Sequence, residues 1–235
     1  MFEQALKKID NILRADNAGG ALDYIEQTSW ILFLKYLDDL EEIKKTEAAL
    51  SGRNYKYILE PQYRWSNWAS PKTPDGKIDH NKTLDGDDLR DFVNINLFPY
   101  LKKFKELTEN SDTVEYKIGV IFSELKNKIQ SGYALRNILD IIDGLHFKTD
   151  EEKHEWSHLY ESKIQGMGNA GQDGGQYYTP RPLIKTIVKV VDPKIGETIY
   201  DGACGSAGFL VEAFQYLSQN REKLSSDDWG ILQKK

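Results

Sequence analysis

Along the first half of the chain, apolar residues recur at the three- and four-residue spacing of one helix face. Phe2, Ala5, Leu6, Ile9, Ile12 and Leu13 predict a helix over 2–14, which the run Asn17-Ala18-Gly19-Gly20 ends. Leu22, Ile25, Ile31, Leu32, Leu34, Leu37, Leu40 and Ile43 predict a longer, more buried helix. Acids at 38, 39, 41 and 42 followed by Lys44 and Lys45 give that helix a solvated face with i,i+3 and i,i+4 pairs. The periodicity lapses over 51–84, where Pro61, Pro71 and Pro74 sit among Tyr55, Tyr57, Tyr63, Trp65 and Trp68. That composition predicts a long connection with a short hairpin, pinned by its aromatics. Helical spacing returns over 87–108, 112–130 and 133–143, with Gly132 and Gly144 as stops. Thr149 and Glu152 fit a capping box that opens a further helix to about Ile164.

The grammar then changes. Five glycines between 166 and 175 suggest a boundary, dividing the chain into a helical unit, 1–165, and a second unit, 166–235. Thr179 reads as an N-cap, with Pro180 and Pro182 in a first turn where missing N–H groups cost nothing. This helix runs to about Val191 and a turn follows. Residues 198–201, Thr-Ile-Tyr-Asp, predict a short strand, and a glycine-rich turn leads into an amphipathic helix from Gly208. Helix, strand, glycine turn, helix is how a doubly wound α/β domain opens. The expected fold class is therefore mainly α, ending in the start of an α/β unit.

Composition narrows the chemistry. The 235 residues carry a net charge of −6, with 40% hydrophobic and 29% charged residues, which is ordinary for a globular chain. An acidic chain repels the phosphate backbone on average, which argues against strong non-specific nucleic-acid binding by the chain alone. Cys204 is the only cysteine, so no intramolecular disulfide can form, and a reducing cytoplasm is the expected location. The first residues lack a signal-peptide pattern. The apolar cluster at 30–37 is far too short to span a bilayer, so no membrane role is expected.

Gly202, Gly205 and Gly208 follow the strand at G-x-x-G-x-x-G spacing. Such glycines let a ligand approach the backbone, and the helix N-terminus behind them offers free N–H groups. The spacing matches neither the dinucleotide fingerprint nor the P-loop. Cys204 reads as a small residue filling a tight loop. Asp201, at the strand tip, suits the cationic end of a ligand without phosphates. S-adenosylmethionine, with an ammonium, a sulfonium, a carboxylate and an adenosine, is such a ligand.

The segment 175–214, GQYYTPRPLIKTIVKVVDPKIGETIYDGACGSAGFLVEAF, resembles the cofactor-binding segment of the modification subunit of type I restriction–modification systems. Upstream, LDYIEQTSWILFLKYLDD resembles the N-terminal helical domain of these subunits, so the resemblance covers most of the chain. It implies an adenine-N6 DNA methyltransferase subunit whose Rossmann-like domain uses S-adenosylmethionine. The implied partners are a specificity subunit, a restriction subunit and double-stranded DNA. Carried over residue by residue, the cofactor site would comprise Gln176, Tyr177, Tyr178, Thr179, Pro180, Arg181, Asp201, Gly205, Ser206, Ala207 and Gly208. Many relatives have Asp-Pro in place of Asp201-Gly202, and Gly in place of Ala207; both changes keep a small, tight turn.

No Asn-Pro and no Pro-Pro occurs anywhere, so the Asn/Asp-Pro-Pro-Phe/Tyr element that engages the flipped adenine is absent and no catalytic residue is assigned. The expectation is that these residues form the N-terminal part of a longer subunit, inactive alone. Two other readings share the residues: a docking module without chemistry, built on 1–165, and another class of S-adenosylmethionine-dependent methyltransferase. His154, Glu155 and His158 match H-E-x-x-H, but the surrounding charge favours coincidence over zinc, and no metal ligand is assigned. Lys102, Lys103 and Lys105 could touch DNA phosphates, though such a run is usually a solvated face.

Overall fold

A computed structural model describes residues 2–108, 110–111, 113–145, 179–204, 207–218 and 225–233. The chain divides into two compact units, 1–161 and 162–235. The architecture is mainly helical, and no strand forms among the described residues beyond one isolated bridge, Lys72 to Ile78.

In the first unit, α1 (Phe2–Ala15) and α2 (Ala21–Leu50) follow the predicted periodicity. The α2 helix begins where Asp23 reaches back to accept the Gly20 N–H at 2.7 Å. At ~1.5 Å per residue its thirty residues span roughly 45 Å. Its buried residues run from Gln27 to Glu41, and residues 42–47 are all exposed. Behind it lies the connection rich in aromatics, where Trp65 and Trp68 are buried within the short helix α3 (Trp65–Trp68). Tyr63 stacks on Tyr100 with ring centroids 3.8 Å apart. The Lys72–Ile78 bridge closes the expected hairpin over Gly76, whose φ of 82° suits glycine.

The predicted helix 87–108 is found as α4 (Gly86–Asp91), a π turn (Phe92–Leu97) and α5 (Phe98–Leu107) in direct succession. Pro99 explains the interruption. It lacks an N–H and would crowd the carbonyl four residues earlier, so the wider π turn, with Phe98 N–H bonded to the Val93 carbonyl, accommodates it.

Two expectations fail here. The helix predicted over 112–130 stops early: α6 (Val114–Glu124) gives way to a non-helical strap over 125–131. Gly132 is no stop but the first residue of α7 (Gly132–Asp143), with Ser131 as N-cap accepting from Ala134 N–H at 3.3 Å. The strap exists because tertiary partners take its backbone. Gln27, fully buried on α2, donates to the Lys126 carbonyl at 3.0 Å and accepts the Lys128 N–H at 3.0 Å. Asp16 accepts the Gln130 and Ser131 N–H groups at 2.7 and 2.9 Å. The other stop holds, for Gly144 caps α7.

A continuous core fills this unit. Trp30 meets Phe98 edge-on at 5.1 Å, and Phe98 meets Phe122 edge-on at 5.2 Å. Asp143, at the end of α7, accepts the Trp65 indole N–H at 2.8 Å and the Ser70 hydroxyl at 2.7 Å. Burial pushes the Asp143 carboxyl up, but these hydrogen bonds outweigh it and hold the carboxyl below its ordinary range. Helix α6 crosses α5 at Gly119, where an added Cβ would sit 2.1 Å from the Lys105 nitrogen and 2.8 Å from the Phe104 carbonyl carbon.

In the second unit, α8 (Arg181–Val191) and α9 (Gly208–Ser218) pack together through Ile184, Val188 and Ala213, with Phe209 and Tyr216 at the edge. A short helix, α10 (Ser226–Gln233), follows. The strand expected over 198–201 does not form: the segment has no regular structure, and Tyr200 is 89% exposed. A strand needs a partner to bond its backbone, and none is present among the described residues. The helix predicted from Thr149 to Ile164 lies outside the described residues.

Two outcomes test this fold. Gly119→Ala drives a methyl group into the backbone of α5, which cannot yield as a side chain would. It should cost about 2–3 kcal/mol in urea unfolding, whereas Gly230→Ala, with open space around it, should be neutral or slightly stabilising. Burial on α2 pushes the Asp38 carboxyl up to about 6, beyond what its weak contact with Ser66 and the charge of Lys35 offset. The folded chain therefore holds a proton that the unfolded chain releases near pH 4, and stability falls as pH rises from about 4 to 6. Asp38→Asn should raise stability at pH 8 by at most ~3 kcal/mol and change little at pH 3.5, read from thermal unfolding at the two pH values.

Candidate functional site

The second unit holds the described part of the motif region, and its local geometry follows from how α8 starts. The Pro180 carbonyl accepts the Leu183 and Ile184 N–H groups at 3.0 and 3.1 Å, so Pro180 is the N-cap. Thr179, expected as the cap, lies one residue outside. Pro180 has an extended ψ of 133°, which makes its own carbonyl the first acceptor of the helix; Pro182 then falls in the first turn, where no donor is needed. Arg181 is the first helical residue.

Two contacts fix how α8 and α9 lie. Near their N-termini, Gly208 faces Ile184 so closely that an added Cβ would be 3.0 Å from the Ile184 Cδ1. Near their C-termini, the Tyr216 hydroxyl donates to Asp192 at 2.6 Å. Gly208 and Tyr216 are eight residues apart, as are Ile184 and Asp192. The helices therefore run parallel, side by side, with both N-termini at the same end. Each N-terminus carries the positive end of a helix dipole. The chain must return the length of α8, roughly 16 Å, between them, and residues 192–207 make that return.

Asp192 closes α8 in the left-handed region at φ 50°. It also pairs with Lys194, and the Lys194 and Tyr216 contacts hold its carboxyl below the usual range. Sequence reasoning did not single out Ile184, Asp192 or Tyr216. Only Gly208, as a glycine at a helix start, hinted at a close approach.

Asp201 lies on the return segment, half-buried, its Oδ1 accepting the Ala203 N–H at 3.1 Å. Ala207 stands immediately before α9 with φ 58° and donates its N–H to the Cys204 carbonyl at 2.6 Å. That conformation favours glycine, so alanine here is strained by about 1 kcal/mol. Cys204 is exposed. The structure thus brings Pro180, Arg181, Ala207 and Gly208 to one end of a helix pair. Gln176, Tyr177, Tyr178, Gly205 and Ser206 lie outside the described residues, as do His154, Glu155 and His158. Among the described residues no cluster of three or more His, Cys, Asp or Glu could hold a metal ion. Nor is any helix among them long and apolar enough to cross a membrane.

Known families match both units. The HsdM N-terminal domain family matches residues 2–142, and the N-6 DNA Methylase family matches 151–230. The chain is 31% identical over 233 residues to the type I restriction enzyme EcoEI methylase subunit of Escherichia coli, covering 99% of this chain and 44% of that protein. It is 53% identical over 256 aligned positions to the MjaIX methylase subunit of Methanocaldococcus jannaschii, covering 98% and 42%. A crystal structure of a modification subunit assigned to a type I restriction enzyme of Vibrio vulnificus YJ016 superposes with a TM-score of 0.80 at 37% identity, over 98% of this chain and 48% of that one. A structure from a study of complex assembly and conformational transition in the type I R-M system superposes at 0.71 with 32% identity, covering 99% and 43%. The chain spans a little under half the length of these relatives. With a family model matched along more than half its length, and relatives covering nearly all of it, the chain belongs to the type I restriction enzyme methylase subunit family.

Proposed function

We propose that this chain serves a DNA adenine-N6 methyltransferase subunit of a type I restriction–modification complex, as its helical N-terminal domain and the opening of its Rossmann-like S-adenosylmethionine domain. The partners in this reading are a specificity subunit, a restriction subunit and double-stranded DNA. The observation that carries it is the parallel pair α8 and α9. Two parallel helices joined by a returning segment are consistent with the outer layer of an α/β unit, in which the returning segment would be the strand. In a complete sheet that segment gains partners and becomes the first strand.

The residues present fit the cofactor in kind. The positive ends of two helix dipoles at one end suit the methionine carboxylate. The Asp201 carboxylate, with Oδ1 on Ala203 N–H and no ion pair among the described residues, suits the ammonium. Pro180, Arg181, Ala207 and Gly208 would line the same end, with Gln176, Tyr177, Tyr178, Thr179, Gly205 and Ser206 as further proposed contacts. When bound, S-adenosylmethionine supplies the electrophilic methyl group. This chain's part is to seat and orient it, because the sequence holds no Asn/Asp-Pro-Pro-Phe/Tyr element to engage the adenine amine.

The test is binding of S-adenosylmethionine by calorimetry to a subunit carrying this segment together with an Asn-Pro-Pro-Phe-type element, assembled with its specificity subunit. Losing the charge-assisted contact in Asp201→Ala should weaken binding about tenfold to a hundredfold. Methylation of double-stranded DNA should fall in step when the cofactor is limiting. Unchanged affinity in Asp201→Ala would remove Asp201 from the site. Absence of any adenine methylation would favour the docking-module reading.

A further inference from the structure

A second site lies in the first unit, lined wholly by residues of the π turn, the start of α5 and the strap. It is a concavity of about 200 Å³ bordered by Asn94, Phe98, Pro99, Lys102, Leu125, Lys126 and Asn127. Its apolar lining comes from the buried Phe98, the exposed Pro99 and the half-buried Leu125.

The polar groups at its rim are oriented by the structure. Asn127 Oδ1 accepts the Ile129 N–H at 3.1 Å, which fixes which end of that amide is which. Its Nδ2 then donates to Asn94 Oδ1 at 3.1 Å. Asn94 is thereby left with its Nδ2 donor, and no partner for it is found among the described residues. Lys102 and Lys126 are exposed and make no ion pair among the described residues. Lys128, the neighbouring strap lysine, is committed to Asp23 and Glu26. The side chains of Lys102, Lys126 and Asn94 thus offer three donors, which suit an oxyanion. The Gln27 bracket holds the strap backbone at Lys126 and Lys128 in place.

We propose that this concavity docks an acidic peptide segment of a partner polypeptide, with carboxylates on Lys102, Lys126 and Asn94 and an apolar side chain on Phe98, Pro99 and Leu125. The apolar part of the lining decides between the two oxyanions. A duplex backbone presents phosphates on a convex, hydrated surface and gains nothing from apolar side chains beside the lysines. A peptide offers carboxylates and an apolar side chain a few ångströms apart.

The test is an NMR titration of the full chain, isotopically labelled, at low ionic strength. The probes are an acetylated Glu-Leu-Asp-Glu amide peptide and, separately, a duplex of about 12 base pairs. The peptide should shift the amide signals of Leu125, Lys126 and Asn127 and the side-chain amide of Asn94, and saturate. Lys102→Gln combined with Lys126→Gln should weaken binding at least about tenfold, and added salt should weaken it further. Lys103→Gln combined with Lys105→Gln, exposed on the same helix outside the concavity, should leave it unchanged. All four positions are exposed, so unchanged thermal unfolding checks that the variants fold. The proposal is overturned if no saturable shift appears at these residues, if the control pair weakens binding equally, or if the duplex shifts the same signals at lower concentration than the peptide.

Discussion

The first unit depends on one buried side chain. Gln27 has no exposed surface, yet every polar atom of its amide is used. The oxygen accepts the Lys128 N–H and the Trp30 indole N–H, the latter at 3.1 Å, and the nitrogen donates to the Lys126 carbonyl. In this way a side chain imitates a strand neighbour, bonding the carbonyl and the N–H of residues two apart. Leaving such groups unpaired in a core would cost about 1–3 kcal/mol each. The bracket therefore decides that α6 ends at Glu124, where the strap runs, and where Trp30 stands against Phe98.

The strap in turn lets glycine do work that no larger residue could. Ser131 is held by Asp16, so α7 begins at Gly132, where an added Cβ would fall 1.6 Å from the Gly86 carbonyl oxygen. Gly86 itself has φ 51°, a conformation that glycine adopts without strain. The start of α4 and the start of α7 thus touch backbone to backbone. Spacing alone marked Gly132 as a break, and a glycine reads the same in sequence whether it ends a helix or admits a neighbour.

The second unit obeys a simpler constraint. The Gly208–Ile184 contact and the Tyr216–Asp192 hydrogen bond together force α8 and α9 parallel, and parallel helices require a connection that travels back along them. The strain at Ala207 sits where that connection turns into α9.

Much of this was legible in the chain itself. The periodicities of 2–14 and 22–43, the aromatic-pinned hairpin and the helix from 181 to 191 are local, because amphipathic spacing needs only one apolar side to face inward. The motif at 176–208 marked out the family, because its residue types and spacing survive without knowledge of the fold. What tertiary structure alone decided was the fate of backbone groups. Residues 125–131 carry helical spacing but surrender their hydrogen bonds to Gln27 and Asp16, more than a hundred positions away in several cases. Residues 198–201 have the side chains of a strand but no neighbour to bond among the described residues. Hydrophobic pattern is written residue by residue, whereas a backbone donor is satisfied by whatever the fold brings to it.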